Sequence, residues 1–295
     1  MKKYIDIDLL DMDTLNKIIK ISTMSATCKL GSNIMLEEMF KYLKLEEGNI
    51  VTIKYKSDVK SLEPLKKKRN TKKKKNSFQN QLTIEVRPDV KKFPDNKISV
   101  KIFKNGSIQM SGVKSLDACN HALVKLIDRV TKEYGVIVDG VMKDISFVEN
   151  QQDIDINGFK IDMINSNFNI GFEINRENLH EILLKKKIQC RYEPCIHACV
   201  NIKFHPKGAI KNVSIFVFQS GNIIITGAKN TESIVESYKY IKEMLIKYKN
   251  DIQKTKIPDM IFTKDRSKKT DDILSKLLID VDDDNLADLA NNLTI

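Results

Sequence analysis

The sequence predicts an α+β fold made of two direct repeats, each with the element order β-α-β-β-β-β-α. The main observation is that residues 102–114 and 217–229 align without a gap, at a constant offset of 115 residues. In both copies a strand of alternating apolar residues precedes the aligned segment, and an amphipathic helix follows it. With 41% hydrophobic and 30% charged residues, the 295-residue chain also has the composition of a folded protein with a core.

The elements of the two repeats follow from periodicity and turn residues. The first repeat is predicted to contain a strand at 18–27, a helix at 35–44, strands at 49–57 and 82–87, a hairpin that turns at Asn105-Gly106, and a helix over 116–134. The second is predicted to contain a strand at 160–167, a helix at 176–186, strands at 188–192 and 196–204, a hairpin that turns at Ser220-Gly221, and a helix over 231–249.

These elements divide the chain into five parts. They are an N-terminal segment (1–15), the first repeat (16–135) with a basic insertion at about 58–80, a linker (136–158), the second repeat (159–250), and a partly acidic C-terminal tail (251–295) that is expected to be flexible.

The net charge of +11 is concentrated in one place, because residues 66–75 carry eight positive charges. This lysine run has two interpretations: a solvated insertion, or an arm that contacts phosphates or acts as a nuclear import signal.

Several functional classes are not expected. The chain has no run of eighteen apolar residues, and its acidic N-terminus differs from a signal peptide, so we expect an intracellular protein without a membrane span. No Ser/His/Asp set, phosphate-binding loop or paired carboxylates indicate an enzyme or a cofactor. Cysteine and histidine residues crowd into 190–205, but alternate positions on one flat strand do not easily surround a tetrahedral zinc ion, so we expect no metal.

Strand alternation in the second repeat predicts which residues face the helices. On this basis the core face of the strand at 196–204 consists of Ile196, Ala198, Val200, Ile202 and Phe204. The opposite face of the hairpin then exposes Phe216, Phe218 and Ile224. Such an apolar surface is unusual on the open side of an antiparallel sheet, so either a partner covers it or it binds a ligand.

Two motifs identify a family resemblance. The segment Phe218–Lys229 (Phe-x-Ser-Gly-x-Ile-x-x-Thr-Gly-Ala-Lys) and the upstream Tyr192-Glu193-Pro194 resemble the second repeat of the TATA-binding protein family. The resemblance covers roughly residues 16–250. The way in which the chain departs from the family pattern resembles the divergent family members of large DNA viruses. It implies a saddle: one curved antiparallel sheet with the helices on its convex face and the DNA minor groove against its concave face.

The resemblance also implies site residues. Phe103 and Phe218 correspond to phenylalanines that wedge into base steps, and His197 stands where the family has a further wedge phenylalanine. Phe216, Ile224, Thr226, Lys101 and Ser111 correspond to positions that contact the groove, and Ser22 aligns with one of the family's paired asparagines. Asn165 and Asn167 lie on the same face and could substitute for these asparagines, and strand alternation adds Lys203 to that face.

The partners implied are AT-rich promoter DNA, a TFIIB-like factor and RNA polymerase. The protein partner is expected to contact Tyr192, Glu193 and Pro194, although the family's acid two positions after the glutamate is Cys195 here. The expected location is a nucleus or a viral factory. Two alternatives remain open: an architectural DNA-binding protein without sequence preference, and a protein-interaction module that kept the fold.

Overall fold

The computed structural model describes residues 19–64 and 80–254, which belong to one compact unit. The first repeat consists of β1 (Lys20–Lys29), α1 (Leu36–Tyr42), β2 (Ile50–Tyr55), β3 (Asp58–Ser61), β4 (Gln81–Val86), β5 (Ile98–Phe103), β6 (Ser107–Val113) and α2 (Leu116–Val130). A hairpin of β7 (Tyr134–Val138) and β8 (Val141–Ile145) follows, and then a 3₁₀ turn at Gln151–Asp153. The second repeat consists of β9 (Asn157–Asn169), α3 (Arg176–Lys185), β10 (Cys190–Arg191), β11 (Cys199–Phe204), β12 (Val213–Phe218), β13 (Asn222–Ala228), α4 (Thr231–Lys247) and α5 (Lys249–Ile252).

Eleven of the described strands form one antiparallel sheet, in the order β10-β11-β12-β13-β9-β1-β6-β5-β4-β2-β3. The repeats meet where β1 pairs with β9, from Lys20 opposite Asn167 to Lys29 opposite Asn157. The two halves therefore share a single hydrogen-bonded sheet. This architecture confirms the predicted α+β fold class and the order of elements in both repeats, with β3 as an addition.

One face of this sheet forms the core. Residues directly opposite each other on antiparallel strands point to the same face. The buried side chains of Val100, Met110 and Ala26 are opposite one another across β5, β6 and β1, and Ile215 and Ile225 are opposite each other in the second repeat. Buried residues from all five described helices belong to the same apolar cluster, so the helices pack on this face. Within the described residues, no helix is both long and apolar enough to span a membrane.

The turn of each long hairpin requires glycine for the same reason in both repeats. Gly106 and Gly221 have φ values of 75° and 77°. A Cβ atom would lie 2.3 Å from the carbonyl oxygen of Ser32 at Gly106 and 2.3 Å from that of Phe172 at Gly221. Only glycine permits both the left-handed backbone and this close approach. The hairpin turns are thus seated against the segment that follows the first strand of their own repeat.

The helix predicted over 116–134 is shorter than expected. It ends at Val130, where the Thr131 hydroxyl donates to the carbonyl oxygen of Ile127 at 2.8 Å and caps the last turn. Tyr134 instead begins β7, and its ring stacks on that of the buried Phe147 with centroids 4.7 Å apart. Tertiary packing of this ring therefore overrides the continuing helical pattern.

The β7–β8 hairpin lies in the stretch that sequence analysis described only as a linker. Its turn is Asp139-Gly140, and both residues have positive φ values, 53° and 80°. Asp-Gly between two alternating apolar runs is a strong hairpin signal that the sequence analysis missed. Ile137 and Met142 are directly opposite each other on this hairpin and are 70% and 73% exposed.

Three predicted segments lie wholly or largely outside the described residues: the N-terminal segment 1–15, the lysine run 66–75 and the tail beyond 254. Residues 251–254, which were predicted to begin the tail, belong to the folded part of the chain. Ile252 is fully buried, and the backbone N–H of Lys254 donates to the carbonyl oxygen of Glu173 at 2.9 Å.

Candidate nucleic-acid interface

The sheet face opposite the helices, called the open face below, carries most of the predicted site residues. Along each strand these residues alternate with the core residues. None of them is fully buried or belongs to the core cluster. The strand register places on this face the predicted residues Lys101, Phe103, Ser111, Asn165, Lys203, Phe216, Phe218, Ile224 and Thr226. The predicted Ser22 joins them through its hydrogen bond with the Asn167 side chain. The fold thus brings residues from seven strands onto one surface, and their contact with DNA remains a prediction.

An apolar group forms the open face of the second repeat. Phe216 on β12 is opposite Ile224 on β13, and Phe218 is the last residue of β12, opposite Cys199. The described half-buried apolar residues that pack against the core do not include Phe216 or Phe218. These rings are therefore held in place by the strands while their exposed faces remain available to a ligand.

A polar strip crosses the centre of the open face, where the two repeats join. The Thr226 hydroxyl is hydrogen-bonded to Oδ1 of Asn165 on the neighbouring strand. One pair further along, Nδ2 of Asn167 donates to the Ser22 hydroxyl oxygen at 2.6 Å. Asn167 has the same parity as Asn165 on β9, so both lie on this face. The strip holds amide and hydroxyl groups in fixed positions across β13, β9 and β1.

The open face of the first repeat has Phe103 at its edge but cationic and polar side chains at its centre. Lys101 is opposite Thr83 on one side and Gln109 on the other. Thr83 is in turn opposite Lys54 on β2. On the other side, Gln109 is opposite Thr27 on β1, which is opposite Lys160 on β9. These two lysines were missed, because they lie on strands that only the tertiary register aligns with Lys101. Lys101 thus stands where the second repeat has Phe216, and the polar Gln109 stands where it has Ile224.

His197 lies outside the sheet, which corrects the prediction of a strand from residue 196. The strand begins at Cys199, opposite Phe218, because β12 ends there and offers no partner to earlier residues. The carbonyl oxygen of Glu193 accepts from the backbone N–H of Ile196 at 3.0 Å and of His197 at 2.8 Å, so the chain turns instead of extending.

The predicted core face of this strand is consequently wrong at two positions. Ile196 is 67% exposed and Ala198 is also exposed, both in the loop of residues 192–198, called the stirrup loop below. Phe204 does face the core, and its ring stacks on that of Tyr240 with centroids 4.3 Å apart.

The predicted partner-binding residues form the first half of the stirrup loop. The Tyr192 hydroxyl donates to Oε1 of Glu177 on α3 at 2.8 Å, which lowers the pKa of the Glu177 carboxyl. Nε of Arg191 donates to Oε1 of Glu193 at 2.7 Å, and this hydrogen bond lowers the pKa of the Glu193 carboxyl. Pro194 is exposed at the turn. The loop therefore presents a charged carboxylate beside a fixed aromatic ring.

Comparison with known proteins found similar structures and sequences. The solved structure of Methanococcus jannaschii TBP matches with a TM-score of 0.49 and 21% identity, over 78% of this chain and 98% of that one. The TATA-box-binding protein of Thermococcus kodakarensis is 31% identical over 159 residues, which are 53% of this chain and 70% of the relative.

Two further findings decide the family. The family model described as transcription factor TFIID (or TATA-binding protein, TBP) matches residues 158–248. The TATA-box-binding protein-like protein of Acanthamoeba polyphaga mimivirus is 37% identical over 255 residues, which cover 80% of this chain and 67% of the viral protein. This chain belongs to the TATA-binding protein family.

Proposed function

We propose that this protein is a TATA-box-binding-like transcription initiation factor that binds and bends AT-rich promoter DNA through the minor groove. The observation that carries the proposal is the apolar group of Phe216, Phe218 and Ile224 on the open face, away from the core, in a chain of this family. Minor-groove proteins that kink DNA insert such apolar side chains between base steps.

The two hairpins supply the wedges. Phe103 is the last residue of β5 and Phe218 the last of β12, so each ring stands at the edge of the open face just before its turn. Unstacking a base step costs a few kcal/mol, which the burial of an inserted phenyl ring offsets. The strands on either side hold each ring in position before DNA arrives.

The polar strip supplies base contacts at the centre. In the minor groove A·T pairs present only acceptors, whereas G·C pairs add the guanine amino group as a donor. Nδ2 of Asn165 and the Ser22 hydroxyl, which accepts from Asn167, can donate to acceptors, so they favour A·T pairs. The Thr226 hydroxyl donates to Oδ1 of Asn165 and so orients this amide. A guanine amino group opposite Nδ2 of Asn165 would place two donors against each other.

Cationic side chains provide the phosphate contacts. Lys101, Lys160 and the exposed Lys203 lie on the open face, and Nζ of Lys203 donates to the Ser214 hydroxyl at 2.6 Å. Each phosphate that such a side chain neutralises releases counterions and makes the affinity salt-dependent.

A protein partner is proposed for the stirrup loop. The exposed Pro194 and the ion pair of Glu193 with Arg191 form a surface for a TFIIB-like factor, which would in turn recruit RNA polymerase. The site of action that we propose is a nucleus or a viral factory, in keeping with the similarity to a mimivirus protein.

The test is a binding competition combined with a bend measurement. Duplexes that carry a TATA element, a scrambled AT-rich sequence, and the TATA element with central A·T pairs replaced by either G·C or inosine·C are compared, with end-to-end fluorescence transfer as the bend readout. Inosine·C has the minor groove of A·T, because it lacks the guanine amino group. We expect tight binding and bending of the TATA and inosine duplexes and weak binding of the G·C duplex. Equal loss with inosine·C and G·C would contradict minor-groove reading.

A second candidate function has a specific observation in its favour. One register row of the open face has Lys54 and Lys101 in the first repeat and Lys160 on the adjoining strand β9, which favours the DNA backbone over the groove floor. This arrangement suits an architectural protein that binds AT-rich DNA without sequence preference. Equal affinity for TATA and scrambled AT-rich duplexes would support that function over promoter selection. If the protein showed no salt-sensitive binding to duplex DNA, the remaining interpretation would be a protein-interaction module.

A further inference from the structure

Arg176, the first residue of α3, connects three separate parts of the second repeat. Its Nη1 donates to the carbonyl oxygen of Ala198 in the stirrup loop at 2.7 Å. Its Nη2 donates to Oε1 of Gln219 in the β12–β13 turn at 3.3 Å. The guanidinium carbon also lies 5.5 Å from the centre of the Tyr192 ring, which is within the range of a cation–π contact.

These contacts reach the neighbours of both wedge positions in this half of the protein. Ala198 follows His197, and Gln219 follows Phe218. A single planar guanidinium thus connects the loop that carries one predicted wedge to the turn that carries the other. The fork of an arginine can donate in two directions at once, which a lysine ammonium on a flexible stem does less well.

The first repeat has no such connection at the corresponding position. Leu36 begins α1 as Arg176 begins α3, and its apolar side chain is buried in the core. An apolar residue is therefore compatible with the fold at this point of the helix. The arginine is a feature of the second repeat, where the stirrup loop leaves the sheet before Cys199.

We propose that Arg176 is a positioning residue that holds the stirrup loop against the β12–β13 turn, so that His197 and Phe218 meet the DNA as one unit. Arg176 acts through the backbone of Ala198 and the side chain of Gln219 and does not itself contact DNA. The DNA part of this inference rests on the proposed function, whereas the positioning part applies to the free protein.

Hydrogen exchange of the free protein tests the positioning part. The backbone N–H groups of Ile196 and His197 are hydrogen-bonded within the stirrup loop and report on its order. In Arg176→Leu we expect these amides to exchange about tenfold faster, as suits the loss of a hydrogen bond from a charged group. For Arg176→Lys we expect exchange rates of these amides between those of Arg176→Leu and the wild type. The matched control is Lys185→Leu, which removes a cation from the same helix away from the loop. It should leave the exchange rates of the loop amides unchanged.

Exchange at core amides of β12 shows whether the Arg176→Leu protein remains folded, and we expect no change there. Unchanged exchange of the loop amides in a folded Arg176→Leu protein would overturn the proposal.

Binding to the TATA duplex tests the DNA part. For Arg176→Leu we expect about tenfold faster dissociation and a smaller bend, with an unchanged slope of log affinity against log salt. A slope reduced by about 0.9 would show that the arginine contacts a phosphate directly, and the proposal would be wrong. If the wild type itself does not bind the duplex, the proposed function fails, while hydrogen exchange still decides whether Arg176 orders the loop.

Discussion

Replacing Gly221 with alanine should strongly destabilise the hairpin that carries Phe218. The residue has a φ of 77°, which costs an alanine about 1 kcal/mol. The added Cβ would also lie 2.3 Å from the carbonyl oxygen of Phe172, so the two backbones must separate. This movement disturbs the hydrogen bonds from Ile170 N–H to the Gly221 oxygen (3.0 Å) and from Ile174 N–H to the Gln219 oxygen (2.8 Å). At about 1 kcal/mol each, the total reaches about 3 kcal/mol.

A matched control separates backbone strain from close contact. Gly171 has a φ of 89°, but a Cβ there would meet nothing within 4 Å. We therefore expect Gly171→Ala to lower the free energy of unfolding by only about 1 kcal/mol. Gly106→Ala should resemble Gly221→Ala, because its Cβ would lie 2.3 Å from the Ser32 carbonyl oxygen.

Urea unfolding followed by circular dichroism measures these differences. In thermal unfolding of a protein of this size, a loss of about 3 kcal/mol corresponds to a fall in the melting temperature of about 10 °C. Equal destabilisation by Gly221→Ala and Gly171→Ala would refute the reasoning, since it would show that the close approach of the two backbones contributes nothing to the seating of the hairpin.

Three further predictions concern DNA binding. Phe218→Ala should reduce the bend, measured by end-to-end fluorescence transfer, more than Phe103→Ala, because the neighbours of Phe218 are apolar; equal effects would exclude this asymmetry. His197→Phe should increase both affinity and bend, since a phenyl ring inserts more apolar area than an imidazole, and no change in either would place residue 197 outside the DNA footprint. Lys203→Gln should lower the slope of log affinity against log salt by about 0.9, whereas Lys185→Gln on α3 should leave it unchanged.

Local patterns alone were sufficient for the order of elements and for the faces of the regular strands. Alternation in β5 and β12 placed Phe103 and Phe218 opposite the core because the side-chain period of a strand is two. The glycines of the two hairpin turns were also recognisable, since their dipeptides are typical of such turns. These features depend on residues that are near one another in the chain.

Features that depend on contacts between distant residues were not predictable in this way. The alternation from Ile196 to Phe204 appeared continuous, but the strand begins only at Cys199, because the partner strand ends opposite that residue. The helix that starts at Leu116 ends early, because the Tyr134 ring stacks on Phe147.

The sequence by itself determined that the chain consists of two related halves and which residues of the regular hairpin strands avoid the core. Only the tertiary structure decided which of those residues are neighbours. The irregular pairing of β1 with β9 lets the Asn167 side chain reach the Ser22 hydroxyl, and α3 brings Arg176 to Ala198. Such pairs join residues far apart in the chain, so they depend on how whole elements pack, and no periodicity within a single element contains that information.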